Sequence, residues 1–406
     1  MQKEKFSEVI ELILKGIDRL PEPPRESLKK ELNIIKELIM DSRPPKIMII
    51  GRRGAGKSSL INAIFQKEVA AVGSVLSQTP FGRWYSYKNE DDALDIMDTR
   101  GLGDATRPQE SKFDASIDEI KLELETKYPD VILFLAKAKE VDGRIDEDIK
   151  NIKEIYEFIE KKHGYKIPLI AAITQVDELD PIDVLPPYDD EEKQNNIQVA
   201  VKRVEDIFAQ NDIKLLKIIP ISAYARFKGE KIVSNRFWQI DKLVEYLIDN
   251  LPREAQLELA RISKITTVQK KLARVIITSS AAICSGIAVV PIPLADIIPI
   301  TITQIGMITG IGYVSGLQLD KNAAIKFLTA IGVDVGVAVA FRELARALVK
   351  FVFPGGGLVI SAGIAFAGTW AIGEAAIAYF IEGKTIEDAK VVFNAIKSKK
   401  EAEYKK

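Results

Sequence analysis

The sequence predicts an α/β domain, with a mostly parallel six-stranded sheet and helices on both faces, joined to an all-helical domain built from the N- and C-terminal segments. Between Lys46 and about Asn250, short apolar runs alternate with amphipathic segments. A glycine-rich turn joins the first apolar run to a helical pattern near Lys57. After about Leu251 the chain is dominated by Ile, Val, Ala and Gly. These three observations place the two kinds of domain in different stretches of the chain.

Three segments are expected along the 406 residues, because this length exceeds one ordinary core. Residues 1–43 form two amphipathic helices separated by prolines, residues 44–252 form the α/β domain, and residues 253–406 form an apolar helical domain with a charged tail. The N-terminal helices have apolar faces and no partner of their own. We therefore expect them to pack on the helical domain.

Hydrophobic periodicity predicts the elements of the α/β domain. Strands are expected at 47–50, 83–87, 94–97, 131–136, 169–173 and 216–220. Helices are expected near 57–66, 110–127, 144–162, 192–209 and 236–250. Ligands of such sheets bind beyond the carboxyl ends of the strands, so functional residues should follow the strands directly.

Composition excludes several classes of function. The formal net charge is −1, which gives no electrostatic argument for a nucleic-acid partner. Cys284 and His163 are the single cysteine and histidine, so an intrachain disulfide, a Cys/His metal site and a histidine-based triad are excluded. Cys284 lies among apolar residues and is expected to be a small core residue. The single cysteine fits a reducing cytoplasm, and no secretory signal is visible at the start of the sequence, so we expect a protein of the cytoplasm or of its membrane surface.

The segment after the first strand fits the phosphate-binding pattern GxxxxGK[ST]. Its glycines let backbone N–H groups surround phosphate oxygens, Lys57 can reach the outer phosphates, and the Ser58 hydroxyl can bind Mg²⁺. A match of this kind can also arise by chance in a structural loop, but the strand before it and the helix after it favour a binding site. The predicted phosphate-binding residues are Gly51, Arg52, Gly54, Ala55, Gly56, Lys57, Ser58 and Ser59.

Two further segments are candidates for metal and γ-phosphate contacts. Asp98 and Gly101 form a DxxG pattern directly after the third predicted strand, where the carboxylate can hold Mg²⁺ through water and the glycine N–H can meet a phosphate. Thr79 is the candidate threonine for sensing Mg²⁺ and the γ-phosphate, with Ser74 and Ser77 as competitors. The pattern DxxG alone is weakly specific, and its position after a strand strengthens it.

Base recognition is predicted at the ends of the last two strands. Asp177, in Thr174-Gln175-Val-Asp177, can accept hydrogen bonds from the N1–H and the exocyclic N2 amine of guanine, whereas adenine offers neither donor. The amides of Ser222 and Ala223 could meet the guanine O6. The alternative is an ordinary turn with an exposed acid. Together these residues predict a site for GTP or GDP with Mg²⁺, and an ATP site is the least favoured reading.

In order and spacing, these five motifs resemble those of the translation-factor-related GTPases, close to the Era-like group. The N-terminal helices and the Gly/Ala/Ile-rich tail resemble the interferon-inducible immunity-related GTPases and their bacterial relatives. The resemblance implies a P-loop GTPase domain that hydrolyses GTP. Two positions depart from the family pattern: Gln175 stands where a lysine is usual, and Leu102 stands where Ras-like proteins carry the glutamine that orients water.

Because Leu102 cannot orient water, both the positioning of the water and the positive charge that hydrolysis needs must come from other residues. Arg52 and Arg53 are candidates, and Arg53 could act as an arginine finger in cis or across a nucleotide-dependent homodimer. Lys57, Arg53, Thr79 and Gly101 are accordingly the predicted catalytic residues. The alternative is that both arginines are solvated or paired with acids such as Asp104 or Asp142.

The apolar tail allows three structures: a soluble helical bundle, integral membrane helices, or a domain that associates reversibly with a membrane surface. Uncharged runs of about 20 residues favour insertion, whereas Glu374 near such a run argues against it. Basic residues such as Lys270 and Arg274 could meet anionic lipid or be ordinary solvated charges. Three functions are considered: a GTPase whose nucleotide state moves the helical domain or changes its membrane association, a GTP-binding scaffold with negligible hydrolysis, and a dynamin-like membrane-remodelling GTPase. Leu102 favours the scaffold, and the apolar tail favours the dynamin-like protein.

Overall fold

The structure is a computed structural model that describes residues 2–22, 24–70, 83–89, 92–98, 116–141, 145–229, 231–288, 297–317, 319–332 and 358–404. The chain divides into two compact units. The sheet unit is Arg43–Lys264, and the helical unit combines Met1–Ser42 with Ile265–Lys406. We describe each unit separately.

The sheet unit is built on six strands in the order β2-β3-β1-β4-β5-β6. The strands are β1 (Lys46–Gly51), β2 (Arg83–Asn89), β3 (Asp92–Asp98), β4 (Val131–Lys137), β5 (Leu169–Thr174) and β6 (Lys217–Pro220). Only the β2–β3 pair is antiparallel. The predicted sheet is confirmed, and β1 lies at its centre between β3 and β4.

Six helices accompany the sheet in the described part of this unit: α3 (Lys57–Phe65), α4 (Ser116–Thr126), α5 (Ile145–His163), α6 (Glu191–Gln210), α7 (Ile240–Asn250) and α8 (Arg253–Ser263). The apolar faces of α4, α5 and α6 form one buried core with the strands, in which Phe134 of β4 meets Phe208 of α6 edge-on at 5.4 Å between ring centroids. Burial of this apolar surface is the main stabilising contribution.

The helix α8 belongs to the sheet unit, although the composition change at residue 251 suggested a boundary before it. Its buried side includes Leu257, Leu259 and Ile262, and it packs against β3, α3 and α7. Arg43 reinforces this region, because its guanidinium donates two hydrogen bonds of 2.8 Å to the buried carboxylate of Asp130 and one of 3.3 Å to Glu254. The start of β1 is therefore tied to β4 and to α8.

A small hairpin of β7 (Ala225–Lys228) and β8 (Lys231–Asn235) follows β6. The sequence analysis did not predict it. Most of its described residues are exposed, so no buried face imposes a strong apolar alternation on the sequence.

The helical unit contains α1 (Gln2–Ile17), α2 (Pro24–Ile39), α9 (Thr266–Ala288), α10 (Ile297–Val314), α11 (Lys321–Ala330), α12 (Leu358–Ala376) and α13 (Ile386–Tyr404), with a π-helical segment at Ile377–Ile381. Helix α1 packs on α10, and α2 packs on α9. These contacts are close, because a Cβ at Gly286 would lie 2.6 Å from Leu28 and one at Gly306 would lie 3.0 Å from Val9. The two N-terminal helices thus cover glycine-bearing faces of the apolar helices.

Among the described residues, two helical stretches, Thr266–Ala288 and Ala362–Ile381, are long and apolar enough to cross a membrane by length and composition. About half of each apolar window is buried, at 56 % and 50 %, and core helices of soluble proteins pass the same test. Two basic residues of the first stretch have acidic partners: Lys270 pairs with Glu382, and Arg274 pairs with Glu374 at 2.9 Å. The soluble bundle, the integral helices and the reversible membrane association stay predictions for the tail.

Cys284 is fully buried in α9, and burial raises the pKa of its thiol to about 12. A neutral thiol in this setting is a poor nucleophile. The prediction of a small core residue is confirmed.

Candidate nucleotide-binding site

The phosphate loop connects the central strand β1 to α3. Gly51, the last residue of β1, has no room for a side chain, because a Cβ there would lie 2.8 Å from the carbonyl oxygen of Leu135 on β4. Gly54 and Gly56 have φ angles of +78° and +85°, which favour glycine, and Gly56 is the N-cap of α3. The glycine spacing of the motif therefore matches the backbone of the loop.

Lys57 is the first residue of α3 and is only 7 % exposed. Its ammonium donates hydrogen bonds to the main-chain oxygens of Gly51 and Arg52, the latter at 3.1 Å. Ser58 and Ser59 are half-buried in the first turn of the helix, which carries no acidic residue. A lysine ammonium and the N-terminal dipole of α3 both favour an anion at this position.

The remaining predicted phosphate and metal residues lie largely outside the described part of the chain. Thr79, Gly101 and Leu102 are outside it, as are the competing serines 74 and 77. The backbone of Asp98 is described: it ends β3 and is paired in register with Ile49 of β1. This register places Asp98 on the strand next to the one that leads into the phosphate loop.

The base-recognition segment is hydrogen-bonded to the phosphate loop at two points. Thr174, the last residue of β5, donates from its hydroxyl to the carbonyl oxygen of Ala55 at 2.9 Å. Gln175 has a φ of +60° and donates from Nε2 to the carbonyl oxygen of Gly54 at 2.5 Å. Glutamine thus makes a contact with the phosphate loop from the position where the family pattern has lysine.

Asp177 lies beside the second predicted base-binding segment. It is 6 % exposed, and its Oδ1 accepts a hydrogen bond of 2.9 Å from the hydroxyl of the fully buried Ser222. Ser222 also exchanges main-chain hydrogen bonds of 3.2 and 3.0 Å with Trp238, and Ala223 follows at 8 % exposure. The alternative of an exposed turn acid does not hold, because Asp177 is buried at the meeting point of two motifs.

The two loop arginines differ in their surroundings. Arg52 donates from Nε to Oδ2 of Asp148 at 2.8 Å, and Asp148 is a buried residue of α5. Arg53 is exposed. The acids proposed from the sequence, Asp104 and Asp142, lie outside the described residues. The sequence did not single out Asp148, because it is one of several acids at the start of an amphipathic helix.

Sequence reasoning also missed two buried residues behind Asp177. Lys193 of α6 is fully buried and donates to the main-chain oxygens of Asp177 at 3.1 Å, Pro181 at 3.2 Å and Leu179. Tyr188 is fully buried beside it, and burial raises the pKa of its hydroxyl to about 12. Neither residue belongs to a sequence motif, and a lysine in the first turn of a polar helix is normally solvent-exposed.

Residues 46–175 match a family model described as the 50S ribosome-binding GTPase. Among solved structures, Toc33 from Arabidopsis thaliana matches at 15 % identity, over 60 % of this chain and 95 % of that one, with a TM-score of 0.37. Era from Aquifex aeolicus, bound to GDP and an aluminium fluoride, matches at 20 % identity over 62 % and 69 % of the two chains, with a TM-score of 0.32.

A protein described as the probable GTP-binding protein engB matches at 21 % identity, over 50 % of this chain and 97 % of that one, with a TM-score of 0.33. The family match ends at residue 175, so the resemblance of the flanking helices to immunity-related GTPases stays a prediction. With this sheet topology and loop geometry, and with the family match over residues 46–175, the sheet unit has the α/β fold of a P-loop GTPase G domain.

Proposed function

We propose that this protein binds GTP and GDP with Mg²⁺ and hydrolyses GTP to GDP and phosphate, slowly when alone. The observation that carries the proposal is the direct hydrogen bonding of the phosphate loop to the segment that contains Asp177, through Thr174 and Gln175. Because these hydrogen bonds hold the phosphate site and the guanine site next to each other, one guanine nucleotide could occupy both.

The phosphate side has the donors that a nucleotide and its metal require. Lys57 would hold the β- and γ-phosphates, and the half-buried Ser58 would offer its hydroxyl to Mg²⁺. Thr79 and Asp98 are proposed as the other metal contacts, Asp98 through water, and Gly101 as the contact to the γ-phosphate. The metal, when bound, would neutralise the charge that develops on the phosphates.

On the base side, Asp177 would accept hydrogen bonds from N1–H and N2 of guanine. The hydroxyl of Ser222 already holds one oxygen of this carboxylate, which fixes its orientation. The main-chain amide of Ala223 would meet O6, since that of Ser222 donates to the carbonyl oxygen of Trp238 at 3.2 Å, and Gln175 would lie against the ring. Because adenine cannot supply the two donors, its binding would leave the buried carboxylate without the two hydrogen bonds that guanine offers, which is costly.

Hydrolysis is proposed to be stimulated by a nucleotide-dependent homodimer. Leu102 cannot orient the attacking water, so other groups must position the water and neutralise the charge of the transition state. Arg52 is held by Asp148, whereas Arg53 is exposed at the loop surface, which makes Arg53 the better candidate for an arginine finger.

The test is phosphate release from GTP by the full chain with Mg²⁺, measured over a range of protein concentrations. Specific activity should rise with protein concentration, Arg53→Ala should remove that rise, and the exposed Arg226→Ala should serve as a matched control. Activity with ATP equal to that with GTP would contradict the proposal. Single-turnover GTP hydrolysis that is undetectable would favour the alternative of a GTP-binding scaffold.

We also propose that nucleotide state changes the membrane association of the helical unit. The two long apolar helices motivate this part of the proposal. Flotation with anionic liposomes should differ between GDP and a non-hydrolysable GTP analogue. Equal flotation in the two states would contradict coupling, and liposome tubulation would favour the dynamin-like alternative.

A further inference from the structure

We infer that Lys193 is a positioning residue for guanine recognition: it holds the main chain that follows Asp177 in the conformation that presents the Asp177 carboxylate to the base. This inference rests on the proposed function. Lys193 does not touch the base; it acts through the backbone of the base-recognition segment.

The first support is the set of acceptors around the ammonium group. Lys193 is fully buried, and its Nζ donates to the main-chain oxygens of Asp177, Leu179 and Pro181. All three acceptors lie within five consecutive residues. Hydrogen bonds from a charged donor are stronger than neutral ones, and a lysine has three N–H groups to donate. One side chain therefore satisfies the inward-facing carbonyls of the turn that begins at Asp177.

The second support is the fixed position of the lysine itself. Asp190 is the N-cap of α6, and its carboxylate accepts a hydrogen bond of 2.9 Å from the backbone N–H of Lys193. The following residues bind the same segment: Gln194 donates to the carbonyl oxygen of Tyr188 at 2.7 Å, and Asn196 donates to that of Asp180 at 2.9 Å. The first turns of α6 thus hold residues 177–188, with Lys193 as the buried centre.

The third support is the link to the other base-binding segment. Lys193 Nζ lies 5.1 Å from the centroid of the Tyr188 ring, and this ring meets Trp238 at 5.2 Å between centroids. Trp238 in turn pairs with Ser222, the residue that holds the Asp177 carboxylate. The ammonium, the aromatic pair and the carboxylate therefore belong to one buried network.

Inosine diphosphate separates positioning from general stability. Its hypoxanthine base keeps the N1–H of guanine but lacks the N2 amine, so it makes one hydrogen bond fewer to the carboxylate. If the Asp177 carboxylate were displaced, it would no longer accept the hydrogen bond from the N2 amine well, and the preference for GDP over inosine diphosphate would fall. A variant that merely destabilises the fold would weaken both nucleotides by the same factor.

The experiment measures the dissociation constants of GDP and inosine diphosphate for the full chain with Mg²⁺. The wild-type protein should prefer GDP by about tenfold or more, the value of a hydrogen bond to a charged group. Lys193→Met should reduce that preference by at least about threefold. The control, Lys202→Met, changes an exposed lysine of the same helix that pairs with Glu205 and Asp206, and it should leave the preference unchanged.

A preference in Lys193→Met equal to that of the wild type overturns the inference, even if both nucleotides bind more weakly. If Lys193→Met does not fold, Asn196→Ala decides, because it removes a single bond to the carbonyl of Asp180 from a partly exposed position. A reduced preference in Asn196→Ala supports the inference, and an unchanged one overturns it. If the wild-type protein does not bind GDP, the proposed function fails and this inference fails with it.

Discussion

Two buried lysines of the sheet unit, Lys57 and Lys193, lie in the first turns of their helices. Both donate hydrogen bonds to main-chain carbonyl groups of a neighbouring loop, but they differ in their access to a ligand. Lys57 is 7 % exposed and contacts the phosphate loop, whereas Lys193 is fully buried and contacts the segment after Asp177. When a nucleotide binds at the loop, its phosphate oxygens could replace the main-chain oxygens to which the Lys57 ammonium donates. The ammonium of Lys193 is fully buried beneath the ring of Tyr188, so a ligand cannot reach it in the same way.

Similar hydrogen bonding therefore supports two different roles, ligand binding by Lys57 and positioning of the main chain by Lys193. Lys57 stands at the N-terminus of a helix behind glycines with positive φ, where an anion is favoured. Lys193 stands among carbonyl groups that belong to the protein itself. We therefore expect Lys57 to act on the ligand directly and Lys193 to act on the geometry of the protein.

The largest effect is expected from Lys57→Ala. Loss of the ammonium removes its charge-assisted contacts to two phosphates, so GTP and GDP affinity should fall about 100-fold or more. Isothermal titration calorimetry measures this, with the exposed Lys242→Ala on α7 as the control. A loss of less than about threefold would show that Lys57 keeps its carbonyl partners when nucleotide is bound.

Asp177→Asn should have the next largest effect. The amide that replaces the carboxylate cannot accept both guanine donors, so GDP affinity should fall about tenfold to 100-fold, and xanthosine diphosphate should become the preferred nucleotide. Competition against a fluorescent GDP analogue measures both changes. Asp241→Asn, on the exposed first turn of α7, is the control, and retention of full GDP affinity in Asp177→Asn would remove Asp177 from the site.

Asp148→Asn is expected to have an intermediate effect, because it weakens a partly buried ion pair with Arg52 that anchors the phosphate loop to α5. GDP affinity should fall about threefold to tenfold, and the protein should lose about 1–3 kcal/mol of stability to unfolding. Nucleotide titration and urea denaturation measure the two quantities. An unchanged affinity together with a lower stability would mean that this ion pair does not shape the loop.

The smallest effect is expected from Gln175→Ala. This change removes one hydrogen bond between neutral groups, from Nε2 to the carbonyl oxygen of Gly54. Such a bond is worth about 1 kcal/mol, so GDP affinity should fall about threefold to tenfold, at the lower end if water replaces the amide. Calorimetric titration of GDP measures the change. A loss as large as that of Lys57→Ala would mean that Gln175 contacts the nucleotide more strongly than its contact with the loop suggests.

Local sequence signals predicted the six-stranded sheet and the backbone of the phosphate loop well. The parallel strands β1, β4 and β5 are buried apolar runs, and Gly51, Gly54 and Gly56 stand where the backbone requires glycine. The β7–β8 hairpin escaped prediction because its residues are mostly exposed, so their polarity carries little information about the strands.

The supporting residues of the site could not be predicted from local patterns. Lys193 and Asp148 are ordinary polar residues of amphipathic helices in the sequence, and their burial follows from tertiary packing between distant segments. Arg52 and Asp148 are 96 residues apart in the chain, which no periodicity connects. Thr79 and Gly101 stay predictions, since they lie outside the described residues.

The central claim is that one site combines the phosphate loop with a carboxylate that selects guanine. Its most direct test is the ratio of the dissociation constants of ADP and GDP for the wild-type full chain with Mg²⁺. The account predicts that GDP binds at least about 100-fold more tightly than ADP, because adenine offers the buried Asp177 neither of the two donors that guanine has. Equal affinity for the two nucleotides, or binding of neither, would contradict it.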